Sequence, residues 1–121
     1  MAPAILLIGL PWQSLPDNLK ELAEKVRIGL EGLETRMPDA GYDFHGCYAH
    51  PKDGYQPFTD AITSRKWDVI IIGFGVRGTP DFTVFFEWLV NEIKEKAPQT
   101  KIGFNHSPES TLDAAKRLAP V

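Results

Sequence analysis

The residue types that could bind a small molecule are concentrated in a short glycine-rich segment. Gly73, Gly75 and Gly78 have the spacing G-x-G-x-x-G, in which backbone N–H groups at a helix N-terminus approach a phosphate. Arg77, in the same segment, could donate two parallel hydrogen bonds to an anionic group. The pattern predicts a ligand-binding turn. The alternative is a sharp turn that needs glycine only for its backbone conformation.

The surroundings of this motif argue against a dinucleotide. Pro80 lacks an N–H donor where the next helix begins, and Asp81 brings a carboxylate to the position that an anion would occupy. Asn105 stands where an acidic residue would bind the ribose. We therefore expect a smaller polar or anionic ligand, bound by Arg77 and backbone N–H groups, with no nucleotide cofactor.

Two histidines are candidates for proton transfer, because imidazole titrates near neutral pH. His106 and His50 both follow predicted strands, where Asn105 could contribute an amide, and the alternative for each histidine is an ordinary surface position. Trp12, in a proline-rich loop after the first predicted strand, could stack on a planar ligand or close the edge of the core.

Three further residues are of metal-binding types, but their spacing does not favour a metal site. On an extended strand His45 and Cys47 share one face whereas His50 points to the other, and no fourth ligand is near in sequence. A partly exposed edge strand explains these residues, and no metal is predicted.

Short apolar runs alternate with amphipathic segments along the chain. Apolar or alternating runs predict strands at 4–9, 42–48, 67–72 and 101–105, and helical periodicity predicts helices at about 17–37, 57–66, 80–96 and 108–118. With right-handed crossovers, this alternation favours a four-stranded parallel sheet of order 2-1-3-4 in a three-layer α/β fold, Rossmann-like or flavodoxin-like. Residues 1–121 are expected to form a single domain.

The predicted strand order reverses between the first and third strands. Ligands in open α/β sheets bind at such a reversal, beyond the carboxyl ends of the strands. The sequence therefore predicts a crevice floored by the loops 10–14 and 73–78, with His50 and His106 at the same end of the sheet.

The helix predicted at 80–96 is apolar over more than one face. Its core-facing arc consists of Phe82, Phe85, Phe86, Leu89, Val90 and Ile93. Val84 and Trp88, four residues apart, fall on a second apolar stripe. This stripe predicts a homodimer interface, with packing against a neighbouring helix as the alternative.

The bulk composition excludes several classes of function. A net charge of −3, from 13 basic and 16 acidic residues, gives no electrostatic footprint for nucleic acid. No stretch approaches the roughly 20 apolar residues that cross a membrane. A single cysteine, Cys47, rules out an internal disulfide and fits a reducing compartment, so a cytoplasmic protein is expected.

A further pattern runs from about Val69 to Leu118. Its residues are Ile70–Gly73, Gly75–Arg77, Phe86–Glu87, Asn91, Ala97–Pro98, Ile102–Asn105, Pro108 and Ala114–Ala115. The pattern resembles a group of small single-domain proteins of bacteria and fungi that have no assigned activity. The resemblance implies a compact Rossmann-like unit whose polar residues of interest are Arg77, Glu87, Asn91 and Asn105, and it implies no reaction.

Together these features predict a small-molecule-binding α/β protein. We expect a cofactor-independent enzyme, of the lyase, isomerase or hydrolase type, that acts on a polar or anionic metabolite in the crevice. The alternative is a non-catalytic dimeric adapter or regulatory protein that contacts its partners through the helix at 80–96.

Overall fold

A single parallel sheet organises the chain. The computed structural model describes all residues, 1–121, and its strands are β1 (Ala4–Gly9), β2 (Asp43–Tyr48), β3 (Val69–Ile72) and β4 (Lys101–Phe104). All three strand pairs are parallel, and the order is β2-β1-β3-β4. The predicted fold class and strand order are therefore confirmed.

Five α-helices connect and cover the strands. They are α1 (Lys20–Asp39), α2 (Gln56–Thr63), α3 (Phe74–Arg77), α4 (Thr83–Lys96) and α5 (Thr111–Leu118). Short 3₁₀ turns at Asp17–Leu19, Pro80–Phe82 and Pro108–Ser110 precede α1, α4 and α5. Each of these helices therefore begins about three residues later than its sequence pattern predicts. Pro80 and Pro108 fit the first turn, where a backbone N–H has no intrahelical partner.

The central strands are buried on both faces, which explains their wholly apolar sequences. On one face, Leu6, Ile8, Ile70 and Ile72 pack with Phe58 of α2 and with Phe85, Leu89 and Ile93 of α4. On the other face, Ile5, Leu7, Val69 and Ile71 pack with Leu33 and Met37 of α1 and with Ala114 and Ala115 of α5. No helix of the protein is both long and apolar enough to span a membrane.

The glycine-rich segment is not the irregular loop that its composition predicts. Phe74–Arg77 form one helical turn directly after β3, with Gly73 and Gly78 as its caps. None of the three motif glycines has a positive φ. Gly73 instead allows a close approach, since a Cβ there would lie only 3.2 Å from the carbonyl oxygen of Ile8, tighter than an ordinary contact.

A second close approach joins α1 to the segment before α5. A Cβ at Gly29 would lie 2.8 Å from the Cβ of Pro108. The glycine therefore lets the middle of α1 contact the 3₁₀ turn that follows β4, and this contact brings the β4–α5 loop to the edge of the predicted crevice.

Candidate functional site

A cavity of about 250 Å³ lies at the carboxyl end of β1. Its walls come from the end of β1 with the loop that follows, the N-terminal half of α1, the end of β2, the start of α3, and the loop between β4 and α5. The strand order reverses at this position, which is where ligands bind in open parallel sheets.

One wall of the cavity is apolar and belongs to α1. Leu22, Val26 and Leu30 line it, and their spacing of four residues places them on one face of the helix. Leu7 contributes from β1. Trp12, the first residue of a short 3₁₀ turn at Trp12–Ser14, lines the same space and is half-buried.

Asn105 holds the opposite wall together. It is only 5% exposed, its Oδ1 accepts a hydrogen bond from the backbone N–H of Phe74 (3.0 Å), and its Nδ2 donates to Oγ1 of Thr111 (3.0 Å). The side chain thus joins the first residue of α3 to the first residue of α5. Asn105 lines the cavity, but its amide is engaged within the protein.

His106 and Ser107 complete this polar wall. The backbone N–H of His106 donates to Oγ of Ser110 (3.0 Å), and Oγ of Ser107 accepts from the backbone N–H of Ser110 (3.3 Å). Ser107 therefore caps the turn before α5. The His106 side chain is exposed at the edge of the cavity, and it is the only histidine among the lining residues.

Gly73 and Gly75 line the cavity, whereas Gly78 and Arg77 do not. Nη2 of Arg77 donates to the carbonyl oxygen of Asn105 (3.0 Å). Its guanidinium carbon lies 5.1 Å from the ring centroid of Phe74 and 5.5 Å from that of Phe104. The Phe74 ring lies against Gly78, which does not line the cavity, so Arg77 contacts this turn from outside the cavity.

His50 lies away from the cavity, and the structure does not bring it to His106. Its Nδ1 accepts from the backbone N–H of Lys52 (3.1 Å), so it caps the turn that follows β2. Its ring packs edge-on against Phe82, with 5.4 Å between the ring centroids. Phe82 belongs to the core on the face of the sheet opposite Leu7.

The two residues of the predicted interface stripe differ in their surroundings. Val84 is 73% exposed. Trp88 is half-buried, with its ring centroid 4.5 Å from that of Tyr55 and 6.1 Å from that of Phe85. Packing within the chain therefore accounts for Trp88, and Val84 alone remains as an exposed apolar side chain on the outside of α4.

Tyr48 lines the cavity and was not singled out by the sequence patterns. A Cβ at Gly46 would collide with its ring and hydroxyl, so the ring lies back across Gly46. The hydroxyl is buried and has no hydrogen-bond partner. Burial, together with the nearby Glu34 carboxylate and Cys47, raises the pKa of Tyr48 to about 12. The glycine two positions before a tyrosine on a strand was the available signal.

No three or more His, Cys, Asp or Glu side chains are grouped closely enough to hold a metal ion. Nε2 of His45 lies 3.1 Å from Oδ1 of Asp43, and Sγ of Cys47 donates to the carbonyl oxygen of Pro57 over 3.9 Å. Burial raises the pKa of the Cys47 thiol. His45, Cys47 and His50 thus each have another role in the fold.

The cavity contains no formally charged side chain. None of its 17 lining residues is Asp, Glu, Lys or Arg, and nine are hydrophobic. The ion pairs of the protein, which join Arg27 to Glu24 and Glu31 and Arg65 to Asp43, involve none of these residues. An anionic group in this space would meet no counter-charge.

Comparison of the chain with models of protein families, with curated proteins and with solved structures gave no match. The resemblance of residues 69–118 to small bacterial and fungal proteins stays a prediction. The function is therefore inferred from the geometry and chemistry of the cavity.

Proposed function

We propose that the protein binds a small, uncharged and mostly apolar molecule in the cavity at the carboxyl end of β1. The observation that carries this proposal is the lining itself, which is largely hydrophobic and has no formal charge. An ionised ligand there would lose part of its hydration without gaining a charged partner. The proposal replaces the polar or anionic metabolite expected from Arg77, because that guanidinium is engaged outside the cavity.

The volume limits the size of the bound portion. A cavity of about 150 Å³ accommodates benzene, so 250 Å³ accommodates about ten non-hydrogen atoms. Two groups on the walls suit a ligand that carries one polar atom. The backbone N–H of Gly75 has no hydrogen-bond partner within the protein, and His106 is also a residue of the lining.

The enzymatic form of the proposal depends on His106. As the only histidine of the lining, it is the residue that could move a proton to or from the ligand's polar atom in a cofactor-independent lyase, isomerase or hydrolase. Trp12 supplies a surface for a planar ligand. We retain the cytoplasm as the proposed location, because the lone Cys47 is a free thiol.

Thermal melts with matched uncharged and anionic compounds test the proposal. We expect octanol and indole to stabilise the protein, by about 2.7 kcal/mol at a hundredfold excess over the dissociation constant. Octanoate and indole-3-carboxylate should stabilise it far less. Stronger stabilisation by the anions would contradict the proposal.

A variant that fills the cavity provides the control for location. Val26→Phe adds a ring to the lining and should abolish the stabilisation by octanol. Ile28→Phe, on the same helix but 56% exposed and outside the lining, should leave it unchanged. Equal binding by both variants would place the ligand elsewhere.

The second candidate is a homodimeric adapter or regulatory protein that uses the outside of α4. The observation on which it rests is Val84, an aliphatic side chain that is 73% exposed on the outside of α4. If this surface forms a dimer, Val84→Lys should convert the dimer to a monomer in sedimentation experiments. A wild-type protein that is monomeric at high concentration would contradict this candidate.

A further inference from the structure

We propose that the natural ligand is a free, elongated amphiphile whose apolar chain leaves the cavity across Leu22 and Leu19. This inference rests on the proposed function, because it concerns the ligand of the same cavity. It adds the shape of the ligand and the direction in which its chain leaves the cavity.

The first observation is that the apolar lining continues onto the surface. Leu22 lines the cavity and yet is 47% exposed. Leu19, which directly precedes α1, is 37% exposed. A chain that is longer than the cavity would cover both leucines.

The second observation is a shallow groove that shares Leu22 with the cavity. This open groove, of about 510 Å³, lies over the start of α1 and is lined by both leucines. Its remaining residues are Asp17, Asn18, Lys20, Glu21 and Lys25. Acidic and basic side chains are balanced there, so the groove carries no net charge beside a chain that lies on its two leucines.

The two parts of the path should contribute differently to affinity. Each methylene that is fully buried in the cavity raises the affinity about fourfold. A chain of about ten non-hydrogen atoms fills that space. Each further methylene lies on half-exposed leucines, where burial is partial, and should raise the affinity about twofold. Without the path across Leu22 and Leu19, the gain should stop when the cavity is full.

Dissociation constants for the straight-chain primary alcohols hexanol, octanol, decanol and dodecanol test the inference. For the wild-type protein we expect dodecanol to bind about fourfold more tightly than decanol, since it adds two methylenes at about twofold each. Leu19→Ser removes apolar surface from the groove and leaves the cavity lining intact. This variant should lose the difference between decanol and dodecanol and should bind hexanol as the wild-type protein does.

Ile28→Ser is the matched control, because it removes an exposed apolar side chain of α1 that lines neither the cavity nor the groove. It should bind all four alcohols like the wild-type protein. If hexanol and octanol bind but dodecanol binds no tighter than decanol, or if Leu19→Ser keeps the full gain, the inference fails and the proposed function stands. If no alcohol binds, both fail.

Vesicles of phosphatidylcholine distinguish a free amphiphile from a lipid in a bilayer. Two half-exposed leucines provide little apolar surface for a membrane, so we expect the protein to remain in the supernatant when vesicles are pelleted. Sedimentation of the protein with the vesicles would overturn the assignment to a free molecule.

Discussion

At the scale of single residues, Tyr48 is the side chain whose position is hardest to explain by stability alone. Its hydroxyl is buried without a partner, and leaving such a group unsatisfied costs about 1–3 kcal/mol. Its ring, in contrast, covers Gly46 and lines the cavity. The ring therefore contributes packing, whereas the hydroxyl lowers the stability of the ligand-free protein.

We expect Tyr48→Phe to leave the free energy of unfolding unchanged or to raise it by about 1 kcal/mol, because it removes an unsatisfied group and keeps the ring. Tyr42→Phe is the matched control. The Tyr42 hydroxyl donates to the carbonyl oxygen of Ala119 (2.8 Å), so its removal should lower the free energy of unfolding by about 1 kcal/mol. Urea denaturation measures both. A clear loss in Tyr48→Phe would mean that the hydroxyl finds an acceptor in solution, such as the nearby Glu34 carboxylate.

The same hydroxyl makes stability depend on pH in the alkaline range. The pKa of Tyr48 is about 12 in the folded protein and 10.0 for an ordinary tyrosine, so between these values the folded state binds more protons than the unfolded state. Ionisation of Tyr48 should therefore not change the free energy of unfolding below pH 10. As the pH rises from 10 towards 12, this ionisation should lower the free energy of unfolding. Tyr48→Phe should show a shallower fall in denaturation experiments across this range. If the free energies of unfolding of the two proteins fall in parallel with pH, the assignment of this pH dependence to Tyr48 is contradicted.

The sequence identified several lining residues but not the direction of their side chains. Trp12, Gly73, Gly75, Asn105 and His106 were singled out from sequence and all line the cavity. Arg77 was expected to bind the ligand, and no sequence pattern could show that its guanidinium lies over two aromatic rings instead. Those contacts depend on the helical turn of α3, which a segment so rich in glycine does not indicate.

At the scale of elements, the contact between α1 and the turn before α5 shapes the polar wall. Gly29 and Gly32 lie in the same helix but have different surroundings. A Cβ at Gly29 would lie 2.7 Å from Oε1 of Glu109 and 2.8 Å from Cβ of Pro108, whereas a Cβ at Gly32 would meet nothing within 4 Å. The proline ring cannot move aside as a flexible side chain can.

We expect Gly29→Ala to lower the free energy of unfolding by about 1–3 kcal/mol, because the added methyl group overpacks the contact with Pro108. Gly32→Ala should raise it by about 1 kcal/mol, since alanine is the better helix former and has open space there. Urea denaturation of the two variants provides the comparison. A stabilising Gly29→Ala would show that α1 does not press against this turn.

The strands were predictable because each carries a local signal, and the contacts between helices were not. Apolar runs identified β1 and β3, and the alternating pattern identified β2, each to within two residues of the observed bounds. The contact at Gly29 joins residues about 80 positions apart, and periodicity within one helix contains no information about it. The same reason explains Trp88, whose partner Tyr55 directly precedes α2 and is distant in sequence.

At the scale of the whole molecule, the topology determines where a ligand can bind, and the packing of distant elements determines which ligand. The reversal of strand order was predictable and coincides with the cavity. The class of ligand was not predictable from the sequence. The absence of charge from the lining results from how α1, α3 and the β4–α5 loop pack together, and these elements are distant in the chain. The central claim is that this uncharged space holds an apolar molecule.

A crystal structure of the protein with iodobenzene tests this claim most directly, because the iodine atom is located by its anomalous scattering. We expect one ordered ring inside the cavity, in contact with Leu7, Trp12 and Leu30. An empty cavity, or iodine only at the outer surface beside Phe74, Arg77 and Phe104, would contradict the account.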